Sequence, residues 1–137
     1  MAGDTKVPTG GCFCGRVRFE FKPNFLAYRY CFCSRCRKVR GSAHAANIFV
    51  PEADLTWLAG EDAIRSFDLE GARFGNNFCE TCGSPVPRQA MQGKAYLIPA
   101  GTVDGDPGIN PEGAIFWDSR VSWLPTAHEL DKFSEYE

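Results

Sequence analysis

The 137-residue sequence predicts a mainly β domain of packed antiparallel sheets with a short C-terminal helix, and three observations carry that expectation. In Arg16-Val17-Arg18-Phe19-Glu20-Phe21 apolar residues alternate strictly with charged ones, the period of a strand with one buried face. Short apolar runs then recur between turn-forming dipeptides, a spacing that suits sheets laid on each other. Finally, seven cysteines fall into three tight clusters, Cys12/Cys14, Cys31/Cys33/Cys36 and Cys79/Cys82, at the spacing of metal ligands.

Taken in chain order, the strand over 16–21 follows directly on the first cysteine pair. Further strands are expected over 46–50, 55–58, 64–69, 73–78, 95–100 and 114–117. Gly60-Glu61, Glu70-Gly71, Gln92-Gly93, Asp104-Gly105 and Pro107-Gly108 supply the turns between them. Near the C-terminus Thr126 and Glu129 have the spacing of a capping box before Leu130 and Phe133, which predicts the one helix. Residues 1–137 read as a single domain, large enough to bury about two-thirds of its unfolded surface. There is no repeat, linker or low-complexity segment.

Composition narrows the chemistry. Lys plus Arg number 15 and Asp plus Glu 17, a formal charge of -2, which argues against a nonspecific nucleic-acid or anionic-membrane binder. No apolar run approaches the length of a membrane span. An odd cysteine count, an N-terminus without an apolar leader and paired ligand spacing favour metal over disulfides, and place the protein in the reducing cytoplasm.

The clusters differ in kind. Cys12 and Cys14 together with Cys79 and Cys82 supply four thiolates, enough to close a tetrahedral zinc site. Neighbouring Gly10, Gly11, Gly15 and Gly83 let backbone amides turn toward the sulfurs. Such a site joins positions far apart in sequence, so its binding energy would be folding energy. Cys31, Cys33 and Cys36 lie within six residues on what reads as a tight turn and supply only three sulfurs, which leaves one coordination position for chemistry. Three sulfurs make a bound zinc a weak Lewis acid but a good holder of another thiolate. Arg35, Arg37, Lys38 and Arg40 could relieve the charge that a further sulfur adds.

The motifs carry a resemblance. Gly-Gly-Cys-x-Cys-Gly-x-Val-Arg-Phe at 10–19, Cys-x-Cys-Ser-x-Cys-Arg-Lys at 31–38, Phe-Cys-x-x-Cys-Gly-Ser-Pro at 78–85, Pro-Ala-Gly-Thr-Val-Asp at 99–104 and Ile-Phe-x-x-Ser-Arg-x-x-Trp at 115–123 resemble the glutathione-dependent formaldehyde-activating enzyme family, which shares its domain with centromere protein V. The ordered set spans nearly the whole chain. The resemblance implies a β-tent-like zinc-binding fold, a structural zinc on Cys12, Cys14, Cys79 and Cys82, and a catalytic zinc on Cys31, Cys33 and Cys36, two zincs per chain. It departs from the family at Phe32 and Ala114, where many members carry histidine.

The activity so implied is a carbon-sulfur lyase on a small-molecule thiol such as glutathione, of the type that makes or cleaves S-hydroxymethylglutathione. Arg37 and Lys38 beside the middle cluster, and Arg120 with Trp123, are candidate substrate contacts, the latter pair as a carboxylate fork and an apolar wall. For the proton, Asp104, His44 and His128 are the groups to weigh, and His44 follows the middle cluster closely enough to reach its metal. A non-catalytic zinc-binding scaffold is the main alternative, and a redox or storage role for Cys31, Cys33 and Cys36 is the third.

Overall fold

A computed structural model describes residues 7–136, so the first six residues and the last of the expected 1–137 domain lie outside it. Eleven strands and one α-helix are present among the described residues: β1 (Thr9–Gly11), β2 (Arg18–Phe21), β3 (Ala27–Cys31), α1 (Ser34–Arg40), β4 (Ala45–Pro51), β5 (Leu55–Ala59), β6 (Ile64–Asp68), β7 (Gly75–Cys79), β8 (Pro85–Val86), β9 (Arg88–Ala90), β10 (Ala95–Pro99) and β11 (Gly113–Ile115). They form three sheets, ordered β1-β2-β5, β11-β3-β4-β10-β9 and β6-β7-β8. The mainly β expectation holds.

The alternation at 16–21 does what its period requires. Phe19 and Phe21 are fully buried while Arg18 and Glu20 face outward. They join Tyr28, Ile48, Val50, Leu55, Ile98 and Val103 in the main core, between the first sheet and the five-stranded sheet. A smaller cluster of Val17, Ala63 and Val86 packs around Cys12 and Cys79, and Trp57 touches both. At Gly10 a Cβ would lie 2.5 Å from the Phe19 ring and from the Thr102 carbonyl, so only glycine lets β1 pass between them.

Three expectations need correction. The pairing is not wholly antiparallel: β11 runs parallel to β3, with Gly113, Ala114 and Ile115 opposite Arg29, Tyr30 and Cys31. A parallel neighbour needs a crossover, which residues 100–112 supply, and Glu112 fixes the register through its backbone N–H to the Tyr28 carbonyl at 2.8 Å. The strand expected over 114–117 stops at Ile115 because Phe116 turns into the left-handed region at φ 54°. The C-terminal helix shrinks to one 3-10 turn, Ala127–Glu129. Its Thr126–Glu129 capping box forms, but Leu130 and Phe133 remain 54% and 57% exposed, and no packed face extends the turn.

Candidate metal centres

The loop after β1 and the turn after β7 bring Cys12, Cys14, Cys79 and Cys82 together, with all four sulfurs within 4.8 Å of one another. Cys12 and Cys14 are 3.5 Å apart and Cys14 and Cys79 3.8 Å. Disulfide sulfurs lie at about 2.05 Å. Ligands 2.3 Å from a tetrahedral zinc lie about 3.8 Å from each other. The thiols are free, and their spacing suits a metal.

Backbone amides turn inward as the flanking glycines allow. Val17 N–H donates to Cys12 Sγ at 3.2 Å, Thr81 N–H to Cys79 Sγ at 3.4 Å and Cys14 N–H to Cys82 Sγ at 3.5 Å. The Ser84 hydroxyl and then the Cys14 amide hold the Cys82 thiol down at about 5, and the amides of Cys82 and Thr81 lower that of Cys79. Cys14 goes the other way: despite a backbone hydrogen bond at Arg16, desolvation and the neighbouring cysteines push it up to about 11. Four sulfurs this close shed all their protons only when a cation shares the charge.

The middle cluster is not the tight turn its spacing suggests. Cys31 ends β3, Cys33 is the N-cap of α1 and accepts the Cys36 N–H at 3.3 Å, and Cys36 sits in the first helical turn. Their sulfurs too lie within 4.8 Å of one another, and among the described residues no further His, Cys, Asp or Glu joins them. Burial raises Cys31 and, with its two neighbours, strongly raises Cys36. Cys33, despite its own desolvation, is lowered by the Cys36 amide. The site is a three-donor cap with one position unfilled by protein.

A cavity of about 760 Å³ adjoins this cap. Its walls are α1 through Cys36, Val39 and Arg40, the outer face of the five-stranded sheet through Asn47 and Leu97, and the β6-β7 pair through Asp68 and Asn77. Trp57 and Tyr96, joined Nε1–H to hydroxyl at 3.4 Å, also line it. Its rim carries two non-glycine residues in the left-handed region, Met91 (φ 52°) and Gln92 (φ 59°), backbone strain of the sort concentrated at ligand sites.

A second, aromatic side faces the C-terminal segment. Phe32 is buried, with its ring 5.0 Å from those of Trp117 and His44, and its N–H donates to the Ile115 carbonyl at 3.0 Å. Arg120 stacks on Trp117 at 4.5 Å and donates to the Trp117 carbonyl. Trp123 is 66% exposed rather than part of the core. Arg37 Nε donates to the Phe32 carbonyl at 3.4 Å, while Lys38 lies on the outer side of α1 along a shallow groove with Phe67, Leu69 and Phe74.

The proton candidates separate clearly. Asp104 accepts from Arg18 at 2.6 Å and from Thr9 at 2.9 Å, and the Arg18 guanidinium holds its carboxyl below the usual range, a structural anchor poorly matched to proton donation. His128 lies in the exposed C-terminal turn, 3.2 Å from the Thr126 hydroxyl. His44 stacks on Tyr30 at 4.1 Å and donates from Nδ1 to the Ala45 carbonyl, and it does not join the three sulfurs as a ligand. What sequence reasoning missed is Asn47 and the cavity itself. The one signal was an amide inside the apolar run 45–50.

A family model described as "Glutathione-dependent formaldehyde-activating enzyme" matches residues 7–119. A Halomonas elongata protein named "Putative glutathione-dependent formaldehyde-activating enzyme" is 30% identical over 82 residues, 56% of this chain and 52% of that protein. The chain thus spans about half the length of this curated relative. The crystal structure of a Rhodobacter sphaeroides protein superposes with a TM-score of 0.61 at 26% identity, covering 77% of this chain and 97% of that one.

Proposed function

Because the chain belongs to the glutathione-dependent formaldehyde-activating enzyme family, we propose that it is a zinc-dependent carbon-sulfur lyase that joins a small thiol to a carbonyl carbon or releases it. In this reading Cys12, Cys14, Cys79 and Cys82 hold a structural zinc, and Cys31, Cys33 and Cys36 hold a second. The observation that carries it is the unfilled fourth position of the three-cysteine cap, next to a cavity large enough for a peptide-sized thiol.

The donor set fits the metal: crowded thiols that resist joint ionisation are stabilised by a divalent cation. A zinc held by Cys31, Cys33 and Cys36 would supply Lewis acidity that favours the thiolate form of an incoming thiol near neutral pH. The protein does the rest. Cys33 and Cys36, locked by the first turn of α1, set the direction of the open position. Buried Phe32, packed edge-on against Trp117, lines the aromatic side. With glutathione and formaldehyde, the sulfur lone pair forms a C–S bond as the C=O π pair moves to oxygen. Oxygen takes up one proton for the one the thiol loses, which gives S-hydroxymethylglutathione.

Zinc per chain, measured before and after brief chelation under reducing conditions, tests this reading. Two zincs falling to one with the fold intact, together with glutathione-dependent formaldehyde consumption by the two-zinc protein only, is the expected result. A single non-exchanging zinc that added metal cannot raise to two would sink it. Exposed Trp123 and Phe133 favour a second reading, a zinc-binding interaction module, which two zincs without any thiol-dependent turnover would select.

A further inference from the structure

The cavity beside the three-cysteine cap contains unmet polar groups that the zinc chemistry does not use. Asn47 is 94% buried within the β4 face that lines the cavity, and its Oδ1 has no hydrogen-bond partner. Arg40, four residues after Cys36 on α1 and therefore on the same helical face, donates from Nη1 to Asn76 Oδ1 at 2.8 Å, but its buried Nε is unpartnered. No carboxylate among the described residues pairs with it. Arg88 differs: it also lines the cavity, but Asp68 holds it at 2.7 Å.

A desolvated guanidinium without an anion, and a buried amide oxygen without a donor, are both costly. The Asn47 amide turns about a soft terminal torsion and can present either edge to the cavity. The lining also includes Trp57, Tyr96, Leu97 and Val39, suited to the aliphatic body of a small ligand, alongside the charged Glu61, Asp68, Arg73 and Arg88.

We propose that Arg40 and Asn47 are the specificity-determining residues of this cavity, selecting a thiol that carries a carboxylate, received by Arg40, and a peptide-like amide, received by Asn47. This rests on the thiol-lyase reading above and deepens it. The carboxylate supplies the missing anion, and the amide N–H supplies the donor that Asn47 Oδ1 lacks. Arg40 and Asn47 therefore govern binding of the substrate's body, while the cysteines govern its sulfur.

The test is calorimetric binding to the full-length, two-zinc protein of three probes: glutathione, its diamide in which both carboxylates are carboxamides, and the thiol-free tripeptide γ-Glu-Ala-Gly. The wild type is expected to prefer glutathione over the diamide by at least about tenfold, the worth of one charged hydrogen bond. Arg40→Gln should erase that preference by weakening the acid alone, and Arg40→Lys should retain much of it. Asn47→Leu, which removes a buried polar group and so keeps the fold, should weaken acid and diamide alike. Equal binding of glutathione and diamide to the wild type, or a preference that survives Arg40→Gln, would overturn the proposal and leave the lyase reading standing. Binding of γ-Glu-Ala-Gly as tight as that of glutathione would overturn the lyase reading and, with it, the selection of a thiol. Absence of binding by all three would overturn both.

Discussion

Asp104 shows how one side chain can look catalytic and be structural. It ends a family-like Gly-Thr-Val-Asp segment, yet its carboxylate is spent on Arg18 at 2.6 Å and Thr9 at 2.9 Å, tying the loop after β10 to β1 and β2. The guanidinium lowers its pKa on folding. A carboxyl depressed in the folded state contributes stability above its unfolded pKa and loses it as pH falls through the folded value. The contribution should therefore be intact at neutral pH and disappear only below about pH 4, the ordinary aspartate range. Both partners are substantially exposed, so it is worth about 0.5 kcal/mol, as for other solvent-screened pairs. Asp104→Asn should lower the urea midpoint slightly at pH 7, converge with the wild type below pH 3, and leave thiol turnover unchanged. A large loss of turnover with unaltered stability would instead return Asp104 to the proton-transfer step.

At the scale of elements, Gly75 decides how β7 meets the cavity wall. An added Cβ would collide with the Phe67 carbonyl and come within 2.5 Å of the Arg88 guanidinium, which Asp68 and Asn77 hold in place. Gly75→Ala should cost about 2 kcal/mol, in the range of other overpacked sites, and lower Tm by roughly 8 °C. Gly101→Ala, where a Cβ meets nothing within 4 Å, is the control expected to be silent in thermal melts. Equal melting of the two variants would show that Arg88 yields freely. Elements whose signal is local were legible: β2 announced itself through strict alternation, and the cysteine clusters through ligand spacing. The helix α1 was not, because Ser34-Arg35-Cys36-Arg37-Lys38-Val39-Arg40 has one aliphatic residue and no apolar stripe. Its start is fixed by the Cys33 cap and its end by Gly41 at φ 60°, features that depend on the fold around them. For β3, the Tyr-Arg-Tyr alternation was present but too short to stand alone. Asn47 could be located in a strand but not on a cavity, since that depends on where the separate β6-β7-β8 sheet comes to rest.

For the whole molecule, the two apolar clusters imply unequal stability. The main core is built from eight buried side chains, seven of them on the β1-β2-β5 sheet and the five-stranded sheet, whereas the smaller one has only Val17, Ala63 and Val86 around two cysteines. Its sheet is poorly covered: β6 is almost entirely exposed and β7 buries only Cys79 fully. A metal on Cys12, Cys14, Cys79 and Cys82 would therefore clamp the β6-β7-β8 sheet, and with it one cavity wall, to the rest of the chain. Exhaustive chelation under reducing conditions should then release the molecule in parts. Amides of β6 and β7 are expected to lose hydrogen-exchange protection first, while those of β3, β4 and β10 keep theirs. Cys79→Ser should reproduce that pattern without chelator, and Cys36→Ser should not. Uniform loss of protection across all three sheets would mean that the main core cannot stand without the clamp. An unchanged exchange map after complete metal removal would show that the four-cysteine site contributes little to the fold.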